Sequence, residues 1–203
     1  MAPIPAPSAT DSGSRTAVTA QSTDLKLHLG CGKRFLPGFV HVDIADFSHI
    51  DHRALADRLP FIANESAALI YSSHMLEYWD RVEVMAVLQE WRRVLKPGGT
   101  LRLAVPDFDK LLEVYAKTGD LNRILGPLFG RMDVGLEKPI YHKTTYTFDT
   151  MKSLLESAGF ADVRRYDWRK VLPEGFDDHS QAYFPHMDRD NGLLTSLNVE
   201  ATR

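Results

Sequence analysis

The residues best suited to chemistry begin at Leu27-His28-Leu29-Gly30-Cys31-Gly32, where an apolar run enters a Gly-x-Gly turn. Glycine is needed where a ligand comes close to the backbone or where φ is positive. In doubly wound sheets a turn of this kind, at the carboxyl end of the first strand, is where ligands sit. Alone, the pattern equally describes a tight turn with no ligand. Asp43 ends the next apolar run, Phe39–Asp43. A carboxylate there can accept both hydroxyls of a ribose, or it can cap a helix or face water. Asp57, in Asp57-Arg58-Leu59-Pro60-Phe61, can accept from an adenine amino group.

A second set lies between Asp107 and Tyr146, a stretch carrying Tyr115, Arg131, Lys138, Tyr141, His142, Lys143 and Tyr146. Connections of that length are usually functional, and these side chains suit a sugar or another polyol. His142 is the first candidate for a general base, because histidine titrates near neutral pH. A loop histidine bonded to backbone is the competing reading. Asp107 is the second candidate, against a role as the N-cap of the following helix. His74 reads as a buried polar residue, and Arg131 and Lys143 as a solvated face or as phosphate ligands. Cys31 reads as a small buried filler of its turn. Asp177 to Asp188 holds two histidines and three aspartates, but no helical His-x-x-x-His or Cys pair supports a metal there, so no metal is expected.

These residues need a frame. Strands are expected at Leu25–Leu29, Phe39–Asp43, Ala68–Ser72, Thr100–Val105, Val163–Trp168 and Ser196–Thr202. Helices are expected at Val82–Leu95, with Val84, Val87, Leu88, Trp91 and Leu95 on one face, at Asp109–Tyr115 and at Phe148–Ala158. Pro97-Gly98-Gly99 is expected to stop the first helix and Gly159 the last. Alternating strands and helices imply an α/β domain with a mostly parallel sheet covered on both faces. Residues 1–23 are rich in Ala, Pro, Ser and Thr, lack Phe, Trp and Tyr, and read as a disordered tail before a domain over 24–203. They lack the apolar segment of a secretory signal, which points to a cytoplasmic protein, with organelle targeting the alternative.

Composition excludes several classes. The 203 residues carry 24 Lys+Arg and 27 Asp+Glu, a net charge of −3, which argues against binding nucleic acid through bulk charge. One cysteine excludes an intrachain disulfide, and no apolar run reaches the roughly 18 residues of a membrane span. A dinucleotide fingerprint needs a small residue where Phe35 stands, and its ribose acid lies further on than Asp43. No P-loop pattern is present.

The glycine turn, Asp43, Asp57, and the run SSHMLEYWDRVEVMAVLQEWRRVLKPGGTLRLAVPDF resemble the class I S-adenosylmethionine-dependent methyltransferases. The likeness extends from about Leu25 to the C-terminus. It is closest to the small, methyltransferase type 11-like proteins often associated with surface-polysaccharide biosynthesis. The resemblance implies a Rossmann-like seven-strand sheet, mostly parallel with an antiparallel last strand. It implies S-adenosylmethionine as cofactor, with Gly30, Cys31 and Gly32 in the cofactor loop, Asp43 on the ribose, Asp57 on the adenine side, and Ser72 and Ser73 beside the methionine moiety. The sequence departs from the family at Arg34, where a third glycine is usual, and at His28, where an acid often stands. Only about ten residues join the first two strands, too few for a full crossover helix, so a single turn is expected there.

The segment after the third expected strand, Tyr71-Ser72-Ser73-His74, lacks the Asn/Asp-Pro-Pro-Tyr/Phe of amino-methylating enzymes and the Pro-Cys of cytosine-C5 enzymes. A nucleic-acid substrate is therefore not expected. The expected reaction is O-methylation of a small-molecule or carbohydrate-linked hydroxyl, with Asp107 or His142 activating or orienting the acceptor. Methylation of a small amine, and a non-catalytic binding protein of the same fold, are the alternatives.

Overall fold

The computed structural model describes residues 24–133 and 137–203; the expected tail, 1–23, lies outside the described residues. The strands are β1 (Leu25–Leu29), β2 (Val40–Asp43), β3 (His52–Arg53), β4 (Ala67–Ser73), β5 (Leu95–Pro106), β6 (Ala161–Arg165), β7 (Tyr183–Phe184), β8 (Leu193–Leu194) and β9 (Ser196–Thr202). The α-helices are α1 (Val84–Val94), α2 (Phe108–Thr118), α3 (Asn122–Phe129), α4 (Phe148–Ser157) and α5 (Trp168–Val171).

Seven strands form one sheet in the order β3-β2-β1-β4-β5-β9-β6. β2, β1, β4 and β5 run parallel, and β9 lies antiparallel between β5 and β6. From β1 the chain steps one way to β2 and later the other way to β4. The loops leaving β1 and β4 therefore diverge, which opens the crevice where doubly wound sheets bind ligands. Gly30 and Ser73 are brought together at this edge.

The register separates two unlike faces. Leu27 and Leu29 align with Ile70 and Ser72, then with Leu101 and Leu103, then with Ala201 and Val199. This face is covered by Leu88 and Trp91 of α1 and by Met151 and Leu155 of α4 in one continuous core. Helical spacing explains the fit, because these positions fall on one stripe of each helix. The opposite face carries His28, His41, Tyr71, Arg102 and Glu200 in a row across the strands. It meets the segment between β6 and β9, which includes α5 and a 3-10 turn, His179–Gln181. Phe176 lies 6.3 Å from the His28 ring, and the Tyr71 hydroxyl donates to Asp178 at 2.5 Å. The ten residues between β1 and β2 form turns only, as their length requires, so no crossover helix is available to cover this side.

Several boundaries differ from expectation. α1 ends at Val94, and Leu95 is already extended, so β5 starts before Pro97-Gly98-Gly99 rather than after it. α2 is longer than expected because Asp107 caps its start and left-handed Gly119 closes it. Trp168 belongs to α5 and not to β6. α2 and α3 pack through Leu111, Val114 and Ile124 against Phe184 and Leu193 of the small β7–β8 pair.

Candidate active site

The turn after β1 is tied to the end of β2. Gly30 donates its N–H to the Val42 carbonyl at 2.9 Å, and Gly32 donates to Asp43 Oδ2 at 2.7 Å. The other oxygen of Asp43, Oδ1, accepts from the Ala45 N–H at 2.8 Å. A carboxylate has about four lone-pair sites, so each oxygen keeps accepting capacity after these backbone bonds.

The two glycines do different work. Both have positive φ, +67° at Gly30 and +53° at Gly32. A Cβ at Gly30 would lie 2.4 Å from Met75 Cγ, so this glycine makes room for a side chain of the β4 exit. A Cβ at Gly32 would meet no atom within 4 Å, which leaves open approach beside Asp43. Cys31 is buried between them, and burial pushes its thiol up to about 12. It is a filler of the turn. Asp57 is half-buried in the turn after β3.

At the end of β4 the Ser72 and Ser73 hydroxyls are both buried without a protein partner. The next residue, His74, takes a positive φ of 52° and donates its N–H to the Ala104 carbonyl at 2.8 Å. This bend sends the chain into the 3-10 turn Leu76–Tyr78. Glu77 in that turn has 0% exposure. Its Oε1 lies 3.6 Å from His74 Nδ1 and 3.7 Å from His142 Nε2. Its backbone carbonyl accepts from Lys143 N–H at 2.8 Å, which draws the 142–144 segment onto the turn. Glu77 was not among the candidates read from the sequence, because a glutamate beside Tyr78 and Asp80 reads as surface and its burial comes from residues far along the chain.

His142 is brought to this edge, where its Nδ1 is engaged by backbone. Nδ1 lies 2.9 Å from the Pro127 carbonyl and Nε2 faces Glu77. The ring also sits against Gly130, where a Cβ would fall 2.4 Å from Nε2. Burial lowers the affinity of His142 for a proton. Asp107 is buried at the end of β5. Its Oδ1 caps α2 by accepting from Lys110 N–H, and its Oδ2 pairs with Arg165 Nη1 at 3.1 Å. Both oxygens thus have structural partners. Lys143 pairs with Glu83 at 2.8 Å, while Arg131, Tyr115 and Tyr141 are exposed.

The polar 177–188 stretch folds back on the sheet. Asp178 accepts from Tyr71 and Ser180, Asp177 pairs with Arg189, and Arg34 donates to the Asp177 carbonyl at 2.6 Å. Among the described residues no group of three or more His, Cys, Asp or Glu side chains is placed to hold a metal. Burial lowers His28 to about 3, so it is neutral inside the aromatic layer. A cavity of about 230 Å³ opens beside the 144–146 segment, lined by Arg81, Thr144, Thr145, Tyr146 and Thr150 with an apolar wall. The Thr145 and Tyr146 hydroxyls are buried there without protein partners.

Residues 39–103 match a family model described as "Methyltransferase domain". A stretch of 77 residues is 36% identical to malonyl-acyl-carrier-protein O-methyltransferase 1 of Coxiella burnetii. That match covers 38% of this chain, and the chain spans about a quarter (26%) of the relative's length. Among solved structures, 1,6-didemethyltoxoflavin-N1-methyltransferase of Burkholderia thailandensis, bound to its substrate and S-adenosylhomocysteine, superposes with a TM-score of 0.52 at 13% identity, covering 88% of this chain and 70% of that one. A SAM-dependent methyltransferase of Archaeoglobus fulgidus gives 0.52 at 16% identity, covering 88% and 85%. The order of the seven strands, the antiparallel β9 and the likeness to these structures together give this chain a Rossmann-like methyltransferase fold.

Proposed function

We propose that the chain is an S-adenosylmethionine-dependent methyltransferase that methylates oxygen on a small-molecule or carbohydrate-linked hydroxyl. One observation carries the cofactor assignment. Asp43 is held by Gly32 and Ala45 N–H groups with accepting capacity left on both oxygens, beside a glycine whose Cβ position is open. A cis-diol is one ligand group whose two O–H donors can use both oxygens of such a carboxylate. Gly30, Cys31 and Gly32 shape the loop, Asp57 stands for the adenine side, and Ser72 and Ser73 end β4 at the methionine end. These residues fit the cofactor, which supplies an electrophilic methyl on a sulfonium.

The chain's own part is to bind, align and exclude water. Holding the acceptor oxygen in line with the methyl supplies much of the rate in a displacement of this kind. The cavity beside Tyr146, with Arg81 and Thr144 in its lining and Val84 and Leu154 as its apolar wall, is the candidate acceptor space. Oxygen as the target is supported by the Coxiella relative, an O-methyltransferase by name. The carbohydrate assignment rests on the sequence resemblance. No described helix is long and apolar enough to cross a membrane.

The test is transfer of labelled methyl from S-adenosylmethionine to a panel of sugars, nucleotide sugars, small carboxylic acids and small amines. Labelled methyl ethers support the reading. Label found only on nitrogen, or on no acceptor while the cofactor binds, overturns the O-methylation assignment.

A further inference from the structure

Glu77 is a carboxylate with no exposure and no hydrogen-bonding partner for either side-chain oxygen. An isolated buried charge is expensive, and such a group ordinarily takes up a proton instead. What surrounds it decides where that proton goes.

Burial favours the neutral form of both neighbouring histidines, and the hydrogen-bond network then fixes which ring nitrogen carries the proton. Asn198 Nδ2 donates to the Ser180 carbonyl at 2.9 Å, so Asn198 Oδ1 is the atom that accepts from the Ser196 hydroxyl at 3.0 Å. Ser196 has then used its proton, and its oxygen, 3.0 Å from His74 Nε2, must accept from that nitrogen. His74 Nδ1 is left with a lone pair toward Glu77. On the other side, the Pro127 carbonyl can only accept, so His142 Nδ1 carries the proton. His142 Nε2 is likewise left with a lone pair toward Glu77. Two imidazole lone pairs and one carboxylate oxygen thus converge within 3.6 and 3.7 Å. Three acceptors do not share a buried space without a proton among them. The separations exceed direct hydrogen-bond length, so a small closure or one bridging water completes the contact.

The remaining groups that face this triad do not supply the proton. Tyr78 meets the His142 ring edge-on at 4.8 Å, and Tyr146 lies near Glu77 with its hydroxyl unpaired. Burial raises both phenols, so each keeps its own proton, and neither hydroxyl bonds a Glu77 oxygen. His179 lies 5.3 Å from the His74 ring, and Arg34 acts on both through space. This positive charge disfavours protonated His74 and His179.

We propose that Glu77 is protonated in the resting protein and forms, with His74 and His142, a buried proton-holding triad that positions the end of β4 and the 142–146 segment for methyl transfer. Glu77 is a positioning residue here. The role in transfer rests on the methyltransferase reading, whereas the protonation state does not. Burial agrees with the geometry, pushing Glu77 up to about 8 and both histidines down. Ionisation puts a negative charge against two lone pairs and loosens the contact between the 3-10 turn and residues 142–144.

The test uses the full chain and Glu77→Gln, whose amide is permanently neutral and can donate to both imidazoles. Without cofactor, wild-type melting temperature should fall by about 5–10 °C more than that of the variant from about pH 5 to about pH 9. The methyl-transfer profile of the wild type should fall on the alkaline side, and that limb should be missing in Glu77→Gln. Imidazole nitrogen NMR of the wild type should show His74 and His142 neutral near pH 7, which stands even if the variant fails to fold. Equal pH slopes for the two proteins, or protonated imidazoles at pH 7, overturn the triad. Cofactor binding measured separately shows whether the methyltransferase reading has failed instead.

Discussion

Gly32 donates its backbone N–H to Asp43 Oδ2 at 2.7 Å, so the turn after β1 and the end of β2 move as one unit. The carboxylate is aimed by the turn, and the turn is held by the carboxylate. Ala45 fixes the second oxygen at 2.8 Å. A ligand that uses Asp43 therefore meets an acceptor already oriented, which lowers the ordering cost of binding.

The two loop glycines should respond differently to alanine. Gly32→Ala pays for positive φ alone, roughly 1–2 kcal/mol, since the space beside it is open. Its methyl protrudes where the cofactor approaches, so S-adenosylmethionine affinity should fall about tenfold or more with a modest loss of melting temperature. Gly30→Ala drives a Cβ into Met75 as well as straining φ. It should destabilise by several-fold more, and Gly30→Ala with Met75→Ala should recover part of the loss. Calorimetry and thermal melts of the three variants measure both effects.

His28 makes stability sensitive to acid. Its folded value is lowered to about 3 by burial, below the ordinary histidine value near 6.5. A depressed group contributes stability that is present above its unfolded value and lost as pH falls toward the folded one. Wild-type melting temperature should therefore drop between about pH 6.5 and about pH 3. His28→Phe should flatten that fall. An unchanged slope would show that His28 is not the group responsible.

Asp107 has a fold to hold. Its carboxylate caps α2 and pairs with Arg165 while being 1% exposed. Asp107→Ala should cost about 1–3 kcal/mol from the lost cap and the unsatisfied groups left behind. Thermal melts should show that loss with S-adenosylmethionine affinity nearly unchanged. A folded Asp107→Asn with unaltered melting temperature but a 100-fold lower turnover would instead make it a general base.

The C-terminal cover should loosen when its anchor is removed. Tyr71→Phe deletes the bond to Asp178 and leaves that buried acid with the Ser180 donors. Removing one partner of a buried polar pair costs about 1–3 kcal/mol. Hydrogen exchange should rise in 176–181 more than in β1 or β4.

Much of this frame is legible along the chain, and the exceptions have physical causes. β1 and β9 have the expected ends because apolar residues alternate along both, and Gly30 closes β1. β3 is two residues long and has no periodicity to read. α3 contains Pro127, which argues against a helix in the sequence, yet it packs through Ile124 onto α2. Gly32 and Asp43 were visible as a pair because their chemistry is local to two neighbouring strand ends. Glu77 was not, because its neighbours come from residues 74, 142 and 146, joined only when the 142–146 segment pairs with the turn and with Asp107 just past β5. His142 was visible as a polar loop residue, but its engagement by Pro127 and its place beside Glu77 appear only in three dimensions.

The most direct measurement is calorimetric titration of the protein with S-adenosylmethionine and S-adenosylhomocysteine, repeated on Asp43→Ala and Asp43→Asn. Saturable one-site binding is expected for the wild type, weakened about 100-fold in Asp43→Ala and less in Asp43→Asn, which keeps one acceptor oxygen. Absence of heat and of thermal shift with both ligands, or equal affinity in a folded Asp43→Ala, would contradict the cofactor site at the end of β2.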